Sequence, residues 1–127
     1  MLRYIELKTG HHDDGPAWIV RVRASRSGRT IYFNGRALKQ GARGTAGNFF
    51  DLETGEIFWV SGIKRDGRDR HWAGSGKVTI AASVVADYLS LVGNASLDPS
   101  RFVVSCEILD TAPSQFVSIE HASRATR

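Results

Sequence analysis

The chain has 127 residues, of which 42% are hydrophobic and 24% are charged, and this ordinary composition excludes a disordered or collagen-like chain. Its length predicts one domain with a hydrophobic core, and its single cysteine, Cys106, excludes an internal disulfide. It contains neither a secretory leader pattern nor the run of about 18 apolar residues that a membrane helix needs. We therefore expect a cytoplasmic protein without a membrane partner.

The net charge of +4 is unevenly distributed along the chain. No acidic residue occurs from Gly15 to Phe50, and the same stretch contains seven basic residues: Arg21, Arg23, Arg26, Arg29, Arg36, Lys39 and Arg43. Clustered Arg and Lys side chains neutralise phosphates and release counterions. The stretch therefore indicates a basic surface for a polyanionic partner, although surface strands with ordinary solvated charges would produce the same pattern.

A first strand is predicted over Leu2–Lys8, and it ends in the turn-rich segment 10–16. This segment contains a candidate metal site, because His11, His12 and Asp13 offer nitrogen and oxygen ligands. Adjacent side chains in an extended loop point apart, whereas zinc sites draw their ligands from spaced positions. We therefore expect no metal and keep the three residues as the alternative.

The most regular period of two occurs over residues 17–25, which predicts a half-buried strand. Its core face would carry Trp18, Val20, Val22 and Ala24, and its outer face would carry Arg21 and Arg23. A hairpin follows, because Gly28 supplies a positive φ angle before the β-rich run Thr30–Phe33. The hairpin tip would display Arg23, Arg26 and Arg29.

The second half of the chain predicts another hairpin over residues 48–61, a strand over 77–81 and one helix near 83–92. Ser83 would cap the start of the helix and Gly93 its end. A last strand over Phe102–Leu109 would bury Phe102, Val104, Cys106 and Ile108 on one face. Residues 1–110 then form a single β-rich domain, and 111–127 form a polar C-terminal tail that is partly disordered. The fold class is mainly β with one short α-helix, either a small antiparallel barrel or a strongly curved sheet.

Several short motifs resemble those of a family of short bacterial proteins of uncharacterised function. They are TIYFNG at 30–35, GNFFD at 47–51, WVSG at 59–62 and DRHWAG at 69–74. The resemblance covers roughly residues 3 to 80. It implies a shared small fold and assigns no catalytic residue and no cofactor.

The loop between the second hairpin and the strand at 77–81 contains the residues best suited to catalysis. Histidine is the side chain best suited to general base catalysis near neutral pH, which makes His71 a candidate base, and Asp69 is a candidate to orient it because side chains two apart on an extended segment share a face. Arg70 and its neighbours would hold a phosphate ester. No second acid–base group or nucleophile follows from the spacing, and residues 71–78 do not match a phosphate-binding loop, because His71 stands at the first glycine position and Val78 at the Ser/Thr position.

We therefore predict a non-catalytic binding module, without a cofactor, that engages single-stranded nucleic acid or another polyanion. The predicted binding residues are Arg21, Arg23, Arg26, Arg29, Tyr32, Arg36, Arg43, Arg70, His71 and Trp72. The arginines would bind phosphates, and exposed Tyr32, Phe49 or Trp72 would stack on bases. One alternative is a small enzyme that uses His71 and Asp69 as an acid–base pair on a phosphate-containing substrate. The other is a protein-interaction module that binds an acidic partner through the same basic face.

Overall fold

The computed structural model describes residues 1–11, 15–41, 47–69 and 76–125, with side chains described as far as His121. The protein is mainly β, as predicted: a nine-stranded sheet curls into a half-barrel and carries two short helices. The elements are β1 (Leu2–Leu7), β2 (Ala17–Arg21), β3 (Arg23–Ala24), β4 (Thr30–Phe33), β5 (Arg36–Gln40), β6 (Phe49–Asp51), β7 (Ile57–Ser61), β8 (Val78–Ala81), α1 (Val85–Val92), β9 (Phe102–Ser105) and α2 (Val117–Ala125).

The strand order is β3-β4-β5-β6-β7-β1-β2-β8-β9, and the sheet is mixed. All neighbours from β3 to β2 are antiparallel, whereas β8 is parallel to both β2 and β9. The expectation of an antiparallel fold is therefore wrong for its last two strands. For β8 and β9 the reason is α1, which lies between them in the chain and serves as the crossover connection that two parallel strands in one sheet require. β2 and β8 are separated in the chain by the five strands β3 to β7.

The core lies on both faces of the sheet at its centre. The adjacent residues Tyr4 and Ile5 of β1 point to opposite faces, and both are 0% exposed. The main core cluster includes Tyr88 of α1 and Val84, which lies just before the start of α1. A smaller cluster contains Tyr32, Ala37 and Phe116.

The prediction for β2 is only partly confirmed. Arg21 and Arg23 are exposed as expected, but Trp18 is only partly buried, while Ile19 and Val20 are both buried. Ile19 and Val20 are adjacent and point to opposite faces, so both faces of β2 are covered and the alternation does not separate core from solvent. The Trp18 ring contacts Phe33 edge-on, with the ring centroids 5.1 Å apart.

The helical region near 83–92 is confirmed, with a 3-10 turn over Ala82–Val84 leading into α1. Gly93 ends the helix in the left-handed region at φ 74°, as predicted, whereas no side chain caps its start. The expectation of a single helix is wrong, because a 3-10 turn over Pro113–Phe116 and then α2 follow in the segment predicted as a tail. Among the described side chains of this segment, Phe116 is buried with Tyr32 and Ala37, and Ile119 packs against this cluster.

Candidate functional site

Two of the predicted binding residues lie together on the wall of a surface cleft. Arg21 and Arg23 line a cavity of about 330 Å³, whose apolar lining includes Met1, Val22 and Leu109. Residues two apart in an extended chain lie about 7 Å from each other and point to the same side. We call this cavity the basic cleft.

Each arginine of the basic cleft forms an ion pair with an acid from the second half of the chain. Arg21 pairs with Asp87 of α1, and Nη2 of Arg23 lies 2.8 Å from Oδ2 of Asp110. Both arginine side chains remain 54% exposed, and ion pairs this exposed are typically worth about 0–1 kcal/mol. The carboxylates therefore orient the guanidinium groups and leave them open to a stronger anion.

The hairpin between β3 and β4 extends the positive charge beyond the basic cleft. Gly28 has a φ angle of 76°, as predicted for the turn, and Arg26 and Arg29 are both exposed there. Neither guanidinium has an ion-pair partner among the described residues. The hairpin tip therefore carries two positive charges without a paired carboxylate among the described residues.

Arg36 is separated from this group and has a structural role. Its Nη1 atom donates hydrogen bonds to Asp51 at 2.7 Å and Glu56 at 3.0 Å, and its guanidinium lies over the Phe58 ring. Burial opposes the charge, but the two carboxylates outweigh it and raise the pKa of Arg36. A ligand would have to displace these contacts, so the structure does not bring Arg36 into the candidate site.

Two of the aromatic residues predicted to stack on bases are buried, and Trp72 lies outside the described residues. Tyr32 is buried, its hydroxyl donates a hydrogen bond to Glu120 of α2, and its ring packs against Phe116. Phe49 is also buried. Tyr32 is therefore a core residue that holds α2, and the prediction that it stacks on a base is wrong.

The remaining predicted site residues are divided between described and undescribed parts of the chain. His11 is exposed, and its backbone N–H donates a hydrogen bond to the carbonyl of Lys8. The predictions for six further residues lie outside the described residues: His12, Asp13, Arg43, Arg70, His71 and Trp72.

Asp69 is a second candidate, because it is a buried carboxylate with one oxygen that has no hydrogen-bond partner among the described residues. It is 7% exposed, and its Oδ1 atom accepts the N–H of Lys64 at 2.7 Å. Its Oδ2 atom is buried and has no hydrogen-bond partner among the described residues. Burial raises the pKa of Asp69, and burial together with the charge of Asp69 raises the pKa of Tyr88. Buried, unsatisfied carboxylates of this kind are enriched at functional sites.

The structure also contains a buried polar row that our sequence analysis missed. Glu6 is 1% exposed, and its two carboxylate oxygens accept hydrogen bonds from the Tyr4 hydroxyl at 2.5 Å and the Lys8 ammonium at 2.7 Å. The three residues alternate along the first strand and so share one face. The sequence signal for this row was an acidic residue two positions after an aromatic residue and two positions before a basic one. Each Glu6 oxygen has a partner, so the row serves to stabilise β1.

Comparisons with protein-family models, curated proteins and solved structures found no significant match to this chain. The resemblance to a family of short bacterial proteins therefore stays a prediction, and functional inference rests on the geometry of the sites. In the parts of the chain that the structure describes, no helix has the length and apolar character needed to cross a membrane.

Proposed function

We propose that this protein is a non-catalytic binding module that engages the phosphates of single-stranded nucleic acid, or of another polyanion, through the basic cleft and the adjoining hairpin tip. The observation that carries this proposal is the placement of Arg21 and Arg23 side by side on the wall of one cavity. Guanidinium groups bind phosphate oxygens in a planar, bidentate geometry that a single carboxylate partner at the surface does not exhaust.

The energetics favour exchange of the acidic partners for phosphate. Asp87 and Asp110 are themselves largely exposed, so their ion pairs with the two arginines are worth little in water. A strand of phosphates offers several charges at once and releases condensed counterions when it binds. Arg26 and Arg29 add two positions along the hairpin at which the same strand can be held.

The contribution of the bases differs from the sequence-based expectation. Because Tyr32 and Phe49 are buried, they offer no stacking surface, and the apolar lining of the basic cleft is aliphatic. Base stacking on aromatic rings supplies much of the affinity in many single-strand binders. We therefore expect weak binding, dominated by phosphates and with little sequence preference.

The test is a fluorescence anisotropy titration with a labelled single-stranded oligonucleotide and, in a second arm, inorganic polyphosphate as competitor. We expect binding at low salt, with log affinity falling by about 0.7 per neutralised phosphate for each unit of log salt. Arg21→Gln/Arg23→Gln should weaken binding about tenfold or more. The matched control, Arg65→Gln/Arg68→Gln, removes the same charge from two exposed arginines outside the basic cleft.

Equal losses in the two double variants would mean that net charge alone drives binding, which would rule out the basic cleft as the site. Absence of binding at low salt would reject the whole proposal. Displacement of the oligonucleotide by polyphosphate at equal phosphate concentration would assign the recognition to phosphate and not to nucleotide.

A second candidate function is general acid–base catalysis on a phosphate-containing substrate, with Asp69 as the ionisable group and His71 as its partner in the sequence-based proposal. The buried, unsatisfied Oδ2 atom of Asp69 favours it. Release of the leaving alcohol from chromogenic phosphate mono- and diesters would be measured for the wild type, Asp69→Asn and the control Asp66→Asn. Activity that persists in Asp69→Asn would refute this role.

A further inference from the structure

The last strand of the sheet has an open outer edge with unusual exposure. β9 ends the strand order, and on its inner side it pairs with β8 through all four of its residues. Val103 is 47% exposed and Val104 is 51% exposed, although adjacent residues of a strand point to opposite faces. Both faces of this edge are therefore open to solvent.

The sequence around β9 is apolar where an exposed edge normally carries charge. Alternation over Phe102, Val104, Cys106 and Ile108 predicts a buried face, yet Val104 and Cys106 are exposed. Monomeric proteins usually protect edge strands with short length, lysine, proline or a bulge, because unpaired backbone groups recruit another strand. β9 has four residues, and neither lysine nor proline occurs within Phe102–Ser105.

The opposite edge of the sheet, formed by β3, is shorter than the β9 edge and carries charge. β3 has only two residues, Arg23 and Ala24, and one of them is charged. Arg26 follows shortly after it in the hairpin. One edge is therefore protected against strand addition by its short length and its charge, and the β9 edge is not.

We propose that β9 pairs with β9 of a second copy of this chain, antiparallel and centred on Val104, to form a two-fold dimer with one continuous sheet. Antiparallel pairing about Val104 places Arg101 opposite Glu107 of the other copy, and by symmetry this pair occurs twice. Phe102 then lies opposite Cys106, and Val103 opposite Ser105. A strand that pairs with itself in this way is the isologous contact that two-fold symmetry demands.

Charge complementarity identifies the occupant as a second copy. Arg101 and Glu107 are exposed, and they flank five residues without any charge. Neither side chain has an ion-pair partner among the described residues; Nη2 of Arg101 donates only to the carbonyl of Gly67, at 3.1 Å. Opposite charges directly across an antiparallel pair are favourable, and like charges there are unfavourable. In the register centred on Val104, Arg101 of each copy lies opposite Glu107 of the other, so each of these side chains gains an ion-pair partner.

The first test is sedimentation velocity of the full chain over a range of concentrations, with charge-reversed variants. We expect a concentration-dependent dimer. Glu107→Arg and Arg101→Glu should each raise its dissociation constant about tenfold or more, because two pairs become repulsive at once. The double variant Arg101→Glu/Glu107→Arg should restore the wild-type constant to within about threefold. Glu53→Arg, an exposed site outside β9, controls for net charge.

The second test reads the register directly and does not depend on the charged residues. In a Cys106→Ser background, Val104→Cys should form a disulfide-linked dimer under mild oxidation, because the two Val104 positions face each other across the two-fold axis. The matched control Val103→Cys places its two thiols on a diagonal and should cross-link more slowly.

A chain that stays monomeric at about 1 mM would overturn the proposal, since a dimer too weak to form there has no useful affinity. A dimer whose constant is unchanged in both single charge variants would also overturn it, because another surface would then hold the two copies. Equal cross-linking at positions 103 and 104 would reject the register. None of these results depends on the basic cleft, so the failure of one proposal is distinguishable from the failure of the other.

Discussion

Tyr32 of β4 donates a hydrogen bond from its hydroxyl to Oε1 of Glu120 in α2, across 88 positions of the sequence. The Tyr32 ring packs against Phe116 at a centroid distance of 5.8 Å, and Ile119 borders the same small cluster. One buried tyrosine thus holds the C-terminal helix by both a polar and an apolar contact. The residue that the sequence suggested as a ligand platform is used to complete the fold.

Removing the Tyr32 hydroxyl should therefore lower the free energy of unfolding and leave the affinity for a ligand unchanged. Tyr32→Phe is expected to lower the free energy of unfolding by about 1–3 kcal/mol, because the hydrogen bond is made to a charged acceptor and is largely shielded from water. Urea unfolding would measure it. Combining Tyr32→Phe with Glu120→Gln tests the pair: losses that simply add would show that the two side chains do not interact.

The arginines of the acid-free stretch should separate into two groups on truncation. Arg36→Ala is expected to lower the free energy of unfolding by about 1–3 kcal/mol, because it leaves the buried carboxylate of Asp51 without its cation. Arg21→Ala removes only an exposed pair with Asp87 and should change stability by less than about 1 kcal/mol. Thermal unfolding of the two variants in the same buffer measures the difference, and equal losses would contradict a structural role for Arg36.

Asp69 should make the protein less stable as the pH rises from acid towards neutrality. Burial raises its pKa in the folded chain above the ordinary value of 3.8, so the folded state holds the proton more tightly than the unfolded state. That contribution is complete below the unfolded pKa and is lost as the pH rises through the folded pKa. Asp69→Asn retains an oxygen for the Lys64 N–H and carries no charge, so its stability relative to the wild type should increase between about pH 4 and pH 7.

Chemical denaturation at several pH values measures this dependence. Asp66→Asn is the matched control, since Asp66 is an exposed carboxylate in the same loop. A constant difference between Asp69→Asn and the wild type across the range would mean that the pKa of Asp69 is the same in the folded and unfolded chains.

Two tryptophans on adjoining parts of the sheet should respond differently to truncation. Trp18 packs against the main core cluster and the Phe33 ring, so Trp18→Ala is expected to lower the free energy of unfolding by about 2–4 kcal/mol, less than a fully buried ring would. Trp59 is exposed on β7, and Trp59→Ala should change the free energy of unfolding by no more than about 0.5 kcal/mol. Guanidinium unfolding followed by circular dichroism compares them without relying on tryptophan fluorescence.

Local patterns predicted most of the elements and both hairpins, but they missed β5, α2 and the pairing of strands that are distant in the sequence. The hairpin around Gly28, the helix that ends at Gly93 and the exposure of Arg21 all follow from spacing and turn chemistry, which act within a few residues. Whether β9 runs parallel or antiparallel to β8 depends on where the crossover helix α1 returns the chain. Distant segments decide that, and no local period records it.

The candidate site divides in the same way. The sequence by itself determined that arginines occur without acids between residues 15 and 50, and that Arg21 and Arg23 share one side of a strand. Only the tertiary structure decided that Asp87 and Asp110 come to rest on those two arginines and that Tyr32 is buried. The physical reason is that charge pairing and burial are properties of surfaces brought together by the whole fold, whereas alternation along a strand is a property of neighbours in the chain.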